Sequence, residues 1–283
     1  MALGLDTDAA IAAPSGKGAS DENFPVGSWL IAPRLRPHVM RYYAFARGTD
    51  DIADDPALSP EDKIARLDAC EAAVRTGNGA PSFAARLHQS LRETGVDVDC
   101  ATDLLVAFRQ DAVKARYADW DALLDYCRYS AHPVGRFLLQ LHVEDASTAR
   151  AGDALCAALQ VLNHLQDLGE DRRQLDRVYL PQDWMAEAGI DEAALDADRS
   201  SPGLRSVIDR CLDATDPLIA VARPLSGQVQ SRRFGAEIAV IQRLAERLAA
   251  RLRREDPLAG RVKHHTSDYA AATWAGLTRL AGI

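Results

Sequence analysis

Apolar residues recur at helical spacing through most of the chain, and the elements follow from where that spacing starts and stops. After a turn at Phe24-Pro25-Val26-Gly27, Pro33 and Pro37 mark helix starts, with Pro37 suited to a first turn. From His38 onward Val39, Tyr42, Tyr43 and Ala46 repeat along one helix that runs into GTDDIADD. Ser59-Pro60-Glu61-Asp62 predicts a second helix with Ser59 as N-cap, reaching about Arg75 before GNGAPS breaks it. Two more are expected over Ser82 to about Thr94 and Val98 to about Arg116. Trp120 to His142 reads as one long apolar helix that Pro133 must kink or break by removing a backbone hydrogen bond, and Gly135 lets another element come close. A central helix carries Ala158, Val161, Leu165 and Leu168 as its anchoring face. Arg177 and Tyr179 are then expected on a loop closed by Pro181, followed by three amphipathic helices over Pro202–Leu225, Glu237–Arg254 and Ser267–Leu280. The prediction is an all-α fold.

Composition agrees. Apolar content is 47% and aromatic content only 6%, with Ala and Leu abundant, a balance that favours helix over sheet. Residues 1–22 are rich in Ala, Gly, Ser and Asp and read as a disordered tail, without the basic and apolar regions of a signal peptide. Residues 23–283 are then expected to form a single domain. Five cysteines lie scattered without C-x-x-C spacing, which fits a reducing cytosol and gives no sign of zinc. No apolar run is long enough for a membrane span, so the expected location is cytoplasmic with at most peripheral membrane contact. A net charge of −8 speaks against a nucleic-acid partner.

The chemistry concentrates in two acidic stretches. Asn163, Asp167 and Asp171 fall at i, i+4 and i+8, so a continuous helix aligns one amide and two carboxylates, with Gln160 three residues earlier. Asp50 and Asp54 repeat the same spacing far upstream. Two carboxylates ~6 Å apart repel by about 3 kcal/mol at an effective dielectric near ~20. A solvated acidic face is the plain reading of either pair. Two such pairs on apolar helices, each flanked by arginine, point instead to Mg²⁺ and a diphosphate, because Mg²⁺ binds through one or two carboxylates plus substrate phosphates. Arg47 admits two roles: an ion pair with Asp50 or Asp51, or a guanidinium kept for diphosphate oxygens. Tyr126 and Tyr129 suit either core packing or a cavity wall, and His132 beside the kink reads as structural. The basic run RLRREDPLAGRVKHH reads as a solvated surface. There is no Gly-rich phosphate loop, Ser/His/Asp arrangement or dinucleotide fingerprint, and the last of these counts against reductive chemistry.

Taken together, NFPVGS, YYAFARGTDDIAD, DYCRYSAHPVGR and QVLNHLQDLGEDRRQLDRVYLP resemble the squalene/phytoene synthase family of head-to-head isoprenoid synthases, over about residues 21–265. Within it the hydroxysqualene synthase branch is the most similar, through N-F-P-V-G-S, S-A-H-P-V-G and Gln166 before Asp167. The resemblance implies a helical domain around a hydrophobic cavity, with two acidic motifs at its mouth. Asp50, Asp54, Asn163, Asp167 and Asp171 would then hold Mg²⁺, the four aspartates being catalytic. Tyr43, Arg47, Arg177 and Tyr179 match diphosphate-side positions, Phe24 and Tyr126 line the cavity, and Gln160 is a polar wall position. Family members that join two prenyl diphosphates commonly carry a basic residue where this chain has Gln166, and Ser or Lys where it has Asp21 and Glu22. That departure implies a single substrate, presqualene diphosphate, ionised with Mg²⁺ and captured by water as hydroxysqualene, with Asn163, Gln166 or Tyr126 placing the water. The alternatives are a synthase condensing two prenyl diphosphates and, outside the class, a non-catalytic helical adaptor. Other enzymes of the squalene pathway are candidate partners.

Overall fold

The computed structural model of the chain describes residues 30–282. Its secondary structure is helical apart from one short pair of strands, and it divides into two compact units. The first unit contains α1 (Arg36–Asp54), α2 (Pro60–Thr76), α3 (Ser82–Thr94) and α4 (Asp99–Asp111), together with Arg136–Val143. α1 buries Val39, Tyr42, Phe45, Thr49, Ile52 and Ala53, a three-and-four spacing that gives one face to the core and leaves Arg47, Asp50 and Asp54 off it. The Tyr42 ring stacks on Phe137 with centroids 4.0 Å apart, and its hydroxyl donates to the Cys100 carbonyl at 2.7 Å. Such a buried aromatic contributes roughly 1.5–3 kcal/mol through area alone. Gly48 is required by close packing: a Cβ there would lie 2.8 Å from the Phe83 ring of α3. Ser59 caps α2 by accepting from the Asp62 amide, as its spacing predicts.

Expected and observed boundaries differ at several places. Pro33 lies in a turn and starts no helix, whereas Pro37 does sit in the first turn of α1. The helix expected to reach Arg116 stops at Asp111, and Arg116–Tyr117 form a strand, β1, in the second unit. β1 pairs in parallel with β2 (Val178–Pro181), and the Val178 amide donates to the Ala115 carbonyl at 2.9 Å. The partners that hold Arg116 extended are remote: its guanidinium binds Glu192 and Asp176, 76 and 60 residues away.

The rest of the second unit starts with α5 (Trp120–Ser130) and the beginning of α6 (His132–Leu141), whose residues from Arg136 belong to the first unit. The long apolar helix therefore breaks at Ala131 (φ −126°, ψ −44°), two residues ahead of Pro133. α7 (Ala149–Gln166) buries Ala158, Val161 and Leu165, and Leu168 opens α8 (Leu168–Leu175) buried likewise. Gly135 lets α7 approach, since a Cβ at that position would sit 2.5 Å from Cys156 Sγ. α9 (Gln182–Glu187), α10 (Pro202–Ala222), α11 (Leu225–Gln228), α12 (Arg232–Leu252) and α13 (Thr266–Ala281) complete the unit. α12 begins five residues ahead of expectation because Ser231 accepts from the Phe234 amide and caps it there. The basic run, from the last turn of α12 to the cap of α13, is largely solvated as expected, with Arg253, Arg254, Arg261, Lys263 and His265 exposed, but some of its arginines are also ion-paired. Arg251 binds Asp268 at 2.5 Å, Arg253 binds Asp213 and Asp216, and Arg261 binds Asp167.

Candidate active site

α1 presents the first acidic set. Arg47 lies one turn before the acids and splits its guanidinium, donating from one amino group to Asp50 at 2.8 Å and from the other to Asp51 at 2.7 Å. The intrahelical ion pair is thus realised with both candidates at once. Asp50 is nevertheless short of positive charge. Burial, and next the Asp54 carboxylate one turn on, push its carboxyl up to about 8, against the pull of Arg47. Asp111, at the end of α4, adds to the same effect. Tyr43 lies on the Arg47 side, close enough to bear on the guanidinium electrostatically. Carboxyl groups shifted in this way by burial and a like charge are found at functional sites.

The second set is built differently. The helix does not run unbroken through it: α7 ends at Gln166, Asp167 takes φ −103° and ψ 11°, and α8 follows. The expected single helix is therefore two. The side-chain row persists all the same, because the Asp167 amide still donates to Asn163 at 2.9 Å and the Asp171 amide to Asp167 at 2.8 Å. Across that joint the charge is balanced from elsewhere in the sequence. Arg261 grips Asp167 with two bonds, 2.6 and 3.1 Å, from 94 residues away. Burial, the largest influence, raises the Asp171 carboxyl above the usual carboxylate range, while His164 and Arg177 act against it.

His164 forms the centre of this half. It is buried on α7, its ring stacks on Tyr179 at 3.5 Å between centroids, and its Nδ1 stands 3.9 Å from Asp171. The Gln160 side-chain nitrogen lies 3.1 Å from His164 Nε2. With the Gln160 amide turned this way its nitrogen donates to Nε2, an arrangement that leaves Nδ1 as the ring nitrogen facing Asp171. Tyr117, Tyr126 and Tyr179 pack together around the ring, with centroids 5.2 to 5.6 Å apart. Arg177 and Tyr179, expected on a loop, are both buried, Tyr179 within β2 and Arg177 just before it. Gln160 is half-buried, and Gln166 is buried with its amide donating to the Val262 carbonyl. Phe24 lies outside the described residues.

Among the described residues no group of three or more His, Cys, Asp or Glu side chains is set to cage a metal ion. The donors suit Mg²⁺ none the less. Each set offers hard oxygen ligands in pairs, and Mg²⁺ takes one or two carboxylates and completes its shell with water and substrate phosphate. A divalent cation would also offset the mutual repulsion of Asp50 and Asp54, which raises the Asp50 carboxyl after burial does. Spacing did not reveal three participants: Asp111, His164 and Arg261. For His164 a signal existed, since a histidine one residue past Asn163 and three before Asp167 must lie beside the acidic row. Nothing local marks the other two.

The fold is that of the helical isoprenoid synthases. The crystal structure of squalene synthase HpnC from Alicyclobacillus acidocaldarius matches with a TM-score of 0.73 at 33% identity, covering 81% of this chain and 87% of that one. In sequence, the chain is 43% identical over 264 residues to hydroxysqualene synthase of Rhodopseudomonas palustris, covering 93% of this chain and 90% of that protein. It is 44% identical over 261 residues to hydroxysqualene synthase of Zymomonas mobilis, covering 92% and 88%. Residues 18–268 match the profile of the squalene/phytoene synthase family, and the chain belongs to that family.

Proposed function

We propose that this enzyme ionises presqualene diphosphate in a Mg²⁺-dependent reaction and that water captures the rearranged cation, giving hydroxysqualene. The observation carrying this reading is the identity above 40% to hydroxysqualene synthases across about nine-tenths of both chains. The paired carboxylates of α1 and of the α7–α8 joint support it, and the family match and the hydroxysqualene synthase relatives count against a non-catalytic adaptor.

Asp50 and Asp54, and in the second unit Asn163, Asp167 and Asp171, are the oxygen donors for Mg²⁺. Bound Mg²⁺ would supply Lewis acidity that makes diphosphate a leaving group. Arg47 and Arg177 contribute guanidinium groups for diphosphate oxygens, a match of planar forks to phosphate geometry, and Tyr43 and Tyr179 flank them. The bond from carbon to diphosphate oxygen breaks with both electrons leaving on the diphosphate. The electron-rich faces of Tyr126 and its neighbours suit the resulting carbocation. Water then adds its oxygen to carbon and releases one proton, so no hydride donor is consumed. Asn163, Gln166 and Tyr126 are the polar groups assigned to placing that water.

Product analysis tests the reading. Incubation of presqualene diphosphate with Mg²⁺ is expected to give hydroxysqualene without NADPH. Product from farnesyl diphosphate alone would instead make the enzyme one that condenses two prenyl diphosphates.

A further inference from the structure

α13 has its large and small residues the wrong way round for a helix that only packs on α12. At 100° per residue, Asp268, Ala272 and Gly276 fall on one side, and these three are buried. Gly276 is in such close contact that a Cβ would meet Val240 of α12 at 2.8 Å. The bulky apolar side chains are on the other side. Trp274 is 68% exposed, Tyr269 51% and Leu277 49%, and with the exposed Ala270, Thr273 and Ala281 they fall within one face about 140° wide. No acidic residue is exposed on this helix, its sole carboxylate being the buried, ion-paired Asp268.

The stretch of sequence that carries the helix has the opposite charge balance to the rest of the chain. Residues 232–282 hold ten Arg and Lys against five Asp and Glu, although the whole chain carries −8. Exposed Arg243 and Arg247 lie one turn apart on α12, Arg243 pairing with Glu246 at 2.9 Å and Arg247 coming within 3.9 Å of Asp268 at the start of α13, and exposed Arg254 follows just past the end of α12. Exposed Lys263 stands just before the His265 cap, and the His264 ring meets Tyr269 edge-on with centroids 5.6 Å apart.

We propose that the outward face of α13 docks on an anionic lipid bilayer. Tryptophan and tyrosine prefer the boundary between headgroups and acyl chains, leucine reaches into the chains, and neighbouring Arg and Lys draw the helix to an anionic surface. Among the described residues no helix is long and apolar enough to cross a membrane, so this contact is peripheral. The advantage of docking rests on the proposed function, because a thirty-carbon substrate and product partition into bilayers. The surface itself does not.

Vesicle pelleting without substrate keeps the two apart. The whole protein is mixed with vesicles of equal phosphatidylglycerol and phosphatidylcholine, or of phosphatidylcholine alone. Wild type is expected to bind the anionic vesicles and to lose binding as salt rises. Trp274→Ser with Leu277→Ser, and separately Arg247→Glu with Lys263→Glu, are each expected to weaken it about tenfold. Both pairs should leave turnover of detergent-dispersed substrate and the far-UV circular dichroism unchanged. Trp274→Phe should retain binding, which separates lost apolar contact from damage to the helix. No preference for anionic vesicles, or equal binding by wild type and the Ser pair, overturns the proposal. So does a wild-type dimer that the Ser pair makes monomeric without change in vesicle binding, which would assign the face to a second copy of the chain.

Discussion

The acidic helix of the first unit and the acidic joint of the second use the same i, i+4 spacing and neutralise it in different ways. On α1 the compensating charge is local: Arg47 serves Asp50 and Asp51 from the preceding turn, while burial first and the Asp54 carboxylate next raise Asp50 to about 8 against it. At the α7–α8 joint it is imported. Arg261 arrives from 94 residues away, and the Gln160–His164 pair approaches Asp171 from inside the unit. The compensating cation of the first set therefore comes from the same helix, although Asp111 of α4 also bears on Asp50. Tertiary structure has to deliver the second.

The largest expected effect breaks both sets equally. Asp50→Asn and Asp167→Asn should each lower kcat/KM with presqualene diphosphate by about 10³-fold or more, as removal of a metal ligand does, while circular dichroism keeps its helical signal. An Asp167→Asn variant with full activity would remove the second set from the reaction.

Next in size is a change that should affect the second set alone. His164→Ala removes the ring whose Nδ1 faces Asp171 and which stacks on Tyr179. Groups that orient a metal ligand are typically worth about 10–100-fold in metal affinity. The Mg²⁺ concentration for half-maximal turnover is expected to rise by about that factor, with KM for the diphosphate little changed, and His164→Gln should recover part of the loss. An equal rise in Asp50→Glu, measured in parallel, would show that the readout does not distinguish the two sets.

The contrast also sorts what the sequence made legible. α1 with its acidic pair, the Ser59 cap and the apolar face of α7 follow from spacing over at most a few turns and are found where expected, whereas the second acidic set spans two helices in place of the one expected. The β1–β2 pair and the ion pairs of Arg253 and Arg261 join residues tens of positions apart, and the break at Asp167 has no marker in the spacing. Arg261 looked like one more solvated charge because its partner belongs to another helix, and helical periodicity carries no information about such pairings.

A third prediction sharpens the local half through pH. The folded protein holds the Asp50 proton up to about 8, whereas an unfolded Asp releases it near ~4. Between those values the unfolded state binds fewer protons, so stability falls as pH rises and the loss is complete above about 8. Asp171, raised in the same direction, adds to the slope. The Asp50 side chain is 32% exposed, so solvent screening cuts the full linkage to about 1 kcal/mol, and without Mg²⁺ the wild-type melting temperature should drop from pH 5 to pH 8 by ~2–4 °C more than that of Asp50→Asn. Parallel pH profiles for the two proteins would show that Asp50 is ionised throughout.

The smallest effect concerns the imported charge. Arg261 and Asp167 keep 37% and 20% of their side-chain surface exposed, so their two-bonded pair contributes at most ~1 kcal/mol to the fold. Arg261→Gln should lower the Mg²⁺-free melting temperature by no more than ~2–4 °C. It also releases the carboxylate that Mg²⁺ is proposed to use. A cation competing with Arg261 for Asp167 should then bind the variant more tightly, and the stabilisation given by Mg²⁺ with inorganic diphosphate should exceed that of wild type. Were Arg261 instead to serve the diphosphate as well, stabilisation would fall below wild type. The sign of that difference decides whether the arginine that neutralises the second acidic set competes with the cation or assists it.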